Sequence, residues 1–235
     1  MKKIITFISA FIVSTTINAG FFIELGVTDH NTDVDSLSFL NPVGTAFTTN
    51  STDGDFINLA NLNDTYEKDG RSIKIGMDVA DNIDVYIVHK SFGAATASGT
   101  ATFAGNDFTQ ELRLDMNLTA IGVSVNVDMG GNHTLSPVLE IGKADTDISG
   151  RQIDPLGGFN SFPNADGDDT TFGYGLAYKY SLSEDLSIVA SYMINDLGDT
   201  STGVTGAGIA GMNAGEQLQS EVEITQLTLG FQLRL

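Results

Sequence analysis

From Leu227 to the end, the chain alternates without a fault: Leu227, Leu229, Phe231, Leu233 and Leu235 in one phase, Thr228, Gly230, Gln232 and Arg234 in the other. In an extended strand this spacing puts every large apolar side chain on one face. A soluble protein normally buries such a face and follows it with a turn or a polar tail. Here the sequence stops on an apolar residue. That ending suits a strand whose outer face meets lipid, and it restricts the chain to sheet architectures that can use such a face.

The beginning fits the same destination. Lys2 and Lys3 precede an apolar run from Ile4 to Val13, and Ala19 offers a small residue at a plausible cleavage point. Residues 1–19 read as a secretory signal peptide, too short to span a bilayer as a helix. Residues 20–235 are then expected to form one β domain, with no room after the last strand for a peptidoglycan-binding unit. There is no cysteine, so neither a disulfide framework nor a lipid-modified cysteine is available. The formal net charge is −19, which repels nucleic acid and excludes a binder of it.

Eight runs read as strands: 20–27, 72–79, 83–92, 108–129, 135–143, 171–182, 186–197 and 221–235. Tight turns at Asp81-Asn82, Gly130-Gly131-Asn132 and Ser183-Glu184-Asp185 alternate with four long connections. An even strand number with short turns on one side and long loops on the other predicts an all-β, up-and-down antiparallel transmembrane barrel. A hairpin around Asn41-Pro42-Val43-Gly44 would raise the count to ten; eight is the reading kept. A soluble β-sandwich shares the alternation but does not account for the ending or the loop asymmetry.

Two strands change phase. Leu112, Leu114, Met116 and Leu118 alternate in one register and Ile121, Val123, Val125 and Val127 in the other. A slip of one residue inverts the faces of a strand, so a β-bulge near Thr119-Ala120 is expected, with the upper half projecting beyond the membrane. The last strand breaks similarly between Ile224 and Leu227.

The run 171–182 adds an independent sign of lipid. Phe172, Tyr174, Leu176, Tyr178 and Tyr180 share a face opposite mostly glycine and alanine, as in aromatic girdles around an aliphatic middle. The final octet, Thr228 to Leu235, resembles the assembly signal of bacterial outer-membrane β-barrels through Thr228, Gly230, Leu233 and Leu235; the usual last residue is Phe, and Leu235 departs from it. As a whole the chain resembles the small eight-stranded, OmpA/OmpX-like outer-membrane barrels of the porin family. That resemblance implies a bacterial cell outer-membrane location, insertion by the barrel-assembly machinery, and contact with outer-membrane lipid and lipopolysaccharide. It also implies a membrane-anchored scaffold whose surface serves adhesion, host interaction or envelope integrity, with the host or surface ligand left open.

Inward faces are expected to carry Glu24, Lys74, Asp78, Asp84, Lys90, Glu111, Arg113, Asp115, Glu140 and Lys179. An eight-stranded barrel is just wide enough for side chains to fill, so these charges should pair as a plug, with a narrow channel for ions or small solutes as the alternative. His30, His89 and His133 have no serine and acid at catalytic spacing, and no nucleophile elbow exists, so no enzyme is expected. The first connection carries Asp29, Asp33, Asp35, Asp53, Asp55, Asp64, Glu67 and Asp69, and the third Asp147, Asp154, Asp166, Asp168 and Asp169. Asp53-Gly54-Asp55 and Asn164-Ala165-Asp166-Gly167-Asp168-Asp169 gather oxygen ligands around a glycine turn, which suits Ca2+ without matching an EF-hand. Solvated acidic loops are the plainer reading, and no other cofactor is expected. The stretches 93–105 and 198–215, built from Gly, Ala, Ser and Thr, read as flexible loops.

Overall fold

In a computed structural model, residues 20–42, 56–66, 69–103, 105–209 and 211–235 are described. The signal peptide, Val43, Gly44, Asp53, Asp55 and Glu67 lie outside them. The strands are β1 (Phe21–Leu40), β2 (Phe56–Asn58), β3 (Ala60–Tyr66), β4 (Gly70–Ala80), β5 (Ile83–Phe103), β6 (Asn106–Val125), β7 (Val127–Gly130), β8 (His133–Ile153), β9 (Phe159–Ser181), β10 (Leu186–Ser201) and β11 (Gln217–Arg234). Each strand pairs antiparallel with its neighbour around the ring, and β11 closes on β1 from Phe22↔Arg234 to Leu40↔Gln217. β2, β3 and β4 descend as one interrupted stave between β1 and β5, and β6 continues as β7 past Asn126. The result is an eight-staved up-and-down barrel.

Most of the expected long loops are wall. β1 runs on to Leu40, β5 and β6 pair out to Phe103↔Asn106, and β8 and β9 pair out to Ile153↔Phe159. The stretches 93–103 and 164–169, read as loops, are therefore strand. Acidic and small residues misled there because an exposed strand face above a membrane is as polar as a loop. Among the described residues, the fourth connection, between β10 and β11, keeps its length.

The two phase changes are not bulges. Pairing of β6 with β8 runs unbroken from Thr109↔Ile153 to Ser124↔Val138, and the even-numbered residues of β6 point inward throughout. Leu112, Leu114 and Met116 are completely buried inside the barrel, whereas Ile121 is 57% exposed on its outside. β11 behaves alike: Val222 and Ile224 face in, Leu227 and Leu229 face out. What changes along each strand is the solvent, not the register. Within the bilayer the outside must be apolar; above it the outside meets water and the apolar residues move to the interior.

That interior is a second core. Leu37, Phe39, Phe92, Leu112, Leu114, Met116, Phe162, Leu197 and Leu218 fill the upper barrel, with Phe39 and Phe162 packed edge to face at 6.2 Å. Real bulges place two of them. Register shifts at Phe92 and Leu197 leave Gly93 and Gly198 at φ 72° and 76°, the left-handed backbone that glycine adopts without strain.

One seam interrupts the wall. Among the described residues, β1 pairs with β4 only up to Thr28↔Gly70 and resumes with β2 at Ser38↔Asn58, so 29–36 has no ladder on that side. β3 is drawn toward β5 instead, where the register slips between Ala60 and Asn63 and Asn61 takes a φ of 54°. Asparagine tolerates that conformation better than most residues.

Candidate functional site

The inside of the membrane half holds the charged residues. Lys74 pairs with Glu24 at 3.0 Å and lies 4.6 Å from the centre of the Tyr86 ring. Lys90 donates to Glu140 at 2.5 Å and, at 3.4 Å, to the Asn195 carbonyl. Tyr86 donates its phenol proton to the other Glu140 oxygen at 3.0 Å. Buried ions are tolerable only when paired and hydrogen-bonded in this way. Nearer the end that carries the tight turns, Arg234 bonds Asp78, and Lys179 borders a small cavity with Asp84 and Glu24.

Residue volume decides how open this lumen is. One cavity of about 10 Å³ is bounded by Glu24, Lys74, Lys90 and Glu140, and another of about 30 Å³ lies below it. A single water needs roughly 10–15 Å³. The spaces have room for single waters, and the apolar upper core lies above them.

Of the ten expected inward charges, the structure brings Glu24, Lys74, Asp78, Asp84, Lys90, Glu140 and Lys179 inward. Glu111 and Arg113 are a correction: they lie on the outer face of β6, as does exposed Asp115. Glu111 there accepts from Arg151 Nε at 2.5 Å. Their inward placement followed from treating the apolar face of upper β6 as lipid-facing. Sequence reading also missed Tyr86, Asn195 and Gln226, whose inward-facing side chains are uncharged and therefore look like ordinary strand residues.

The assembly-signal residues divide by face. Thr228 points inward and its hydroxyl meets that of Thr28 at 2.8 Å. Gly230 packs against the backbone of Leu25, while Leu233 and Leu235 point outward.

Asn164 and Asp166 sit exposed on β9, not around a turn; Asp168 and Asp169 lie further along the same strand. Asp115, Asp147 and Asp166 stand directly opposite one another on β6, β8 and β9, forming an acidic band on the outer wall. Among the described residues, no group of three His, Cys, Asp or Glu side chains is placed to hold a metal ion. Asp154 instead organises its turn, accepting from the Leu156 and Gly158 amides at 2.8 and 3.0 Å.

The histidines are scattered. His89 meets the Thr119 hydroxyl at 3.0 Å on the outer face, and His133 meets the Tyr178 hydroxyl at 2.5 Å beside Tyr180. His30 is not in a loop but buried inside the wall on β1, between Tyr66 and Phe92.

No family model and no curated protein matches the sequence. Solved structures do match in fold. The outer membrane protease OmpT of Escherichia coli superposes with a TM-score of 0.54 at 9% identity, covering 95% of this chain and 99% of that one. The outer membrane protein OprG of Pseudomonas aeruginosa gives 0.54 at 15% identity, covering 92% and 96%. The outer membrane protein AlkL, solved in lipid bilayers, gives 0.53 at 15% identity, covering 94% and 93%. At such identities the likeness is one of fold, and the fold is that of the bacterial outer-membrane β-barrel, with OmpA/OmpX-like strand number and topology.

Proposed function

We propose that this barrel is a non-conducting, non-enzymatic scaffold that holds a rigid acidic wall above the outer membrane for surface interaction or envelope integrity. The observation that carries this reading is the two-layer seal. Paired charges with room for single waters fill the membrane half, and a packed apolar core fills the half above it. A conduction path would have to displace both layers, and the upper one is packed as a protein interior is.

The upper half costs sequence that a mere membrane plug does not need, so its role lies outside the bilayer. Its outer face presents Asp115, Asp145, Asp147, Asp166, Asp199 and Glu221, all exposed, on strands fixed by hydrogen bonds. A mostly acidic surface, with Arg113 and Arg151 among its carboxylates, selects partners by charge and disfavours anionic ones. Outer-membrane lipid and lipopolysaccharide around the apolar belt, and assembly machinery reading the C-terminal strand, complete the partners of this reading.

Conductance separates it from the narrow-channel alternative. Purified barrel in a planar bilayer should give no current steps in concentrated KCl, with folding verified by a heat-dependent shift on SDS gels. Regular steps that change on Lys90→Met would overturn the scaffold reading.

A further inference from the structure

At the tight-turn end of the barrel, three strands meet around one carboxylate. Gly20 immediately precedes β1, and its carbonyl accepts from the Asp78 amide of β4 at 3.1 Å. Arg234 of β11 reaches across β1 to bond Oδ2 of the same Asp78. Buried Asp84 stands directly opposite Asp78 on β5, so two carboxylates face each other at this mouth. Asp78 Oδ1 is buried and has no hydrogen-bond partner. A buried carboxylate oxygen left unpaired beside a second carboxylate calls for a further cationic donor.

Gly20 is placed to supply one. A substituent in the side-chain direction of its Cα would stand 3.0 Å from Asp78 Oδ2 and 3.5 Å from Arg234 Nη1. Glycine leaves that direction open, whereas a side chain there would press on the carboxylate. In a chain that begins at Gly20, a turn about the Cα–C bond carries the nitrogen into the open direction. The carbonyl stays where it is through that turn and keeps its bond to the Asp78 amide. An N–H···O contact of 3.0 Å is an ordinary hydrogen bond, and a free α-amine, with a pKa of about 7.7–8.0, is charged at neutral pH.

We infer that removal of residues 1–19 creates the missing partner: the Gly20 α-ammonium binds Asp78, and processing thereby clasps β11, β1 and β4 where the ring closes. Hydrolysis of the Ala19–Gly20 amide by a secretory signal peptidase consumes one water and leaves a carboxylate on Ala19 and the ammonium on Gly20. While that bond is intact the nitrogen is an uncharged amide and cannot pair with a carboxylate as an ion. The precursor therefore lacks one contact at the closing strands that the mature barrel has. The inference does not depend on the scaffold reading, which conductance decides by itself.

The test uses the mature barrel extracted from outer membranes. N-terminal sequencing should read Gly20 first, and any other start overturns the inference. The protein is unfolded in urea and acetylated at mildly acidic pH, where an ordinary α-amine reacts ahead of the lysines, then refolded in detergent beside an untreated sample. The acetylated barrel should lose its heat-modifiable band at a lower urea concentration than the free-amine barrel. In Asp78→Asn the two forms should unfold at the same concentration. A second reading needs no variant, so a misfolded Asp78→Asn leaves the test intact. Acetic anhydride should modify Gly20 about tenfold more slowly in the folded barrel than in the unfolded chain, the factor that one charge-assisted contact gives. Equal urea midpoints for the free and acetylated wild type, a difference that persists unchanged in folded Asp78→Asn, or equal acetylation rates folded and unfolded would each overturn the inference.

Discussion

Tyr86 reaches Glu140 by lying across Gly122. The three stand in one row on β5, β6 and β8, and a Cβ on Gly122 would fall 2.2 Å from the Tyr86 ring. The missing side chain on the middle strand is what lets a phenol span two strands and close the hydrogen bond at 3.0 Å. Gly122→Ala should therefore displace the ring and loosen the charged layer. The expected cost is that of overpacking, about 1–3 kcal/mol, seen as a lower urea midpoint of the heat-modifiable band. Adding Tyr86→Leu should restore room and recover part of the loss.

Glu140 is also the partner of Lys90, and both are buried. Removing one member of such a pair strands the other charge in a poorly solvated lumen. Lys90→Met alone should cost about 3–5 kcal/mol. Lys90→Met combined with Glu140→Gln should cost clearly less, because the double change leaves no unpaired ion and keeps an acceptor for Tyr86. Urea titrations of the two variants decide this; equal losses would show that the pair contributes through packing alone.

The membrane half was legible because lipid imposes a simple code. Phe172 to Tyr180 and Leu227 to Leu235 alternate apolar-out, and the structure places those faces outward. The upper half obeys the reverse code, and a sequence gives no mark where the bilayer ends. Leu118 and Ile121 are both apolar and three residues apart, yet one is inside and the other outside. Taking lipid-facing as the only reason for an apolar face turned that inversion into a bulge, and put Glu111 and Arg113 in the lumen. The bulges that seat Phe92 and Leu197 in the upper core are each followed by a glycine, Gly93 and Gly198, that reads as loop in the sequence. The seam was not legible, since it arises from pairing partners far apart in the chain.

The second core carries its own prediction. Leu114 is completely buried in the upper half, whereas Leu229 lies on the belt. Leu114→Ala opens a cavity in packed protein and should cost about 2–5 kcal/mol. Leu229→Ala exchanges contacts with fluid lipid, which can fill the space, and should cost much less. Protease added to intact cells should cut the extracellular half of the Leu114 variant while the membrane half stays protected. Equal resistance of the two variants would mean that the upper barrel is held by its strand ladders and not by its core.

Glu216 offers a handle on the extracellular cap through pH. It is fully buried on the approach to β11, its Oε1 accepts from Asn213 at 2.9 Å, and its Oε2 has no partner. Burial raises its pKa above the ordinary glutamate value, with the Asn213 hydrogen bonds pulling partly back. A raised folded-state value means that the folded cap binds the proton more tightly than the unfolded chain. Its stabilisation is then fully present below the ordinary glutamate range and is lost as pH rises through the raised value. Hydrogen exchange at the Gly215 and Glu216 amides, which donate to the Thr205 carbonyl and hydroxyl, reports this locally. After correction for intrinsic rates, protection should fall from acid toward neutral pH in the wild type. In Glu216→Gln, which cannot ionise, the same amides should show a flat profile. A wild-type profile that is flat, or that rises with pH, would mean that Glu216 ionises in the folded cap at least as easily as in the unfolded chain.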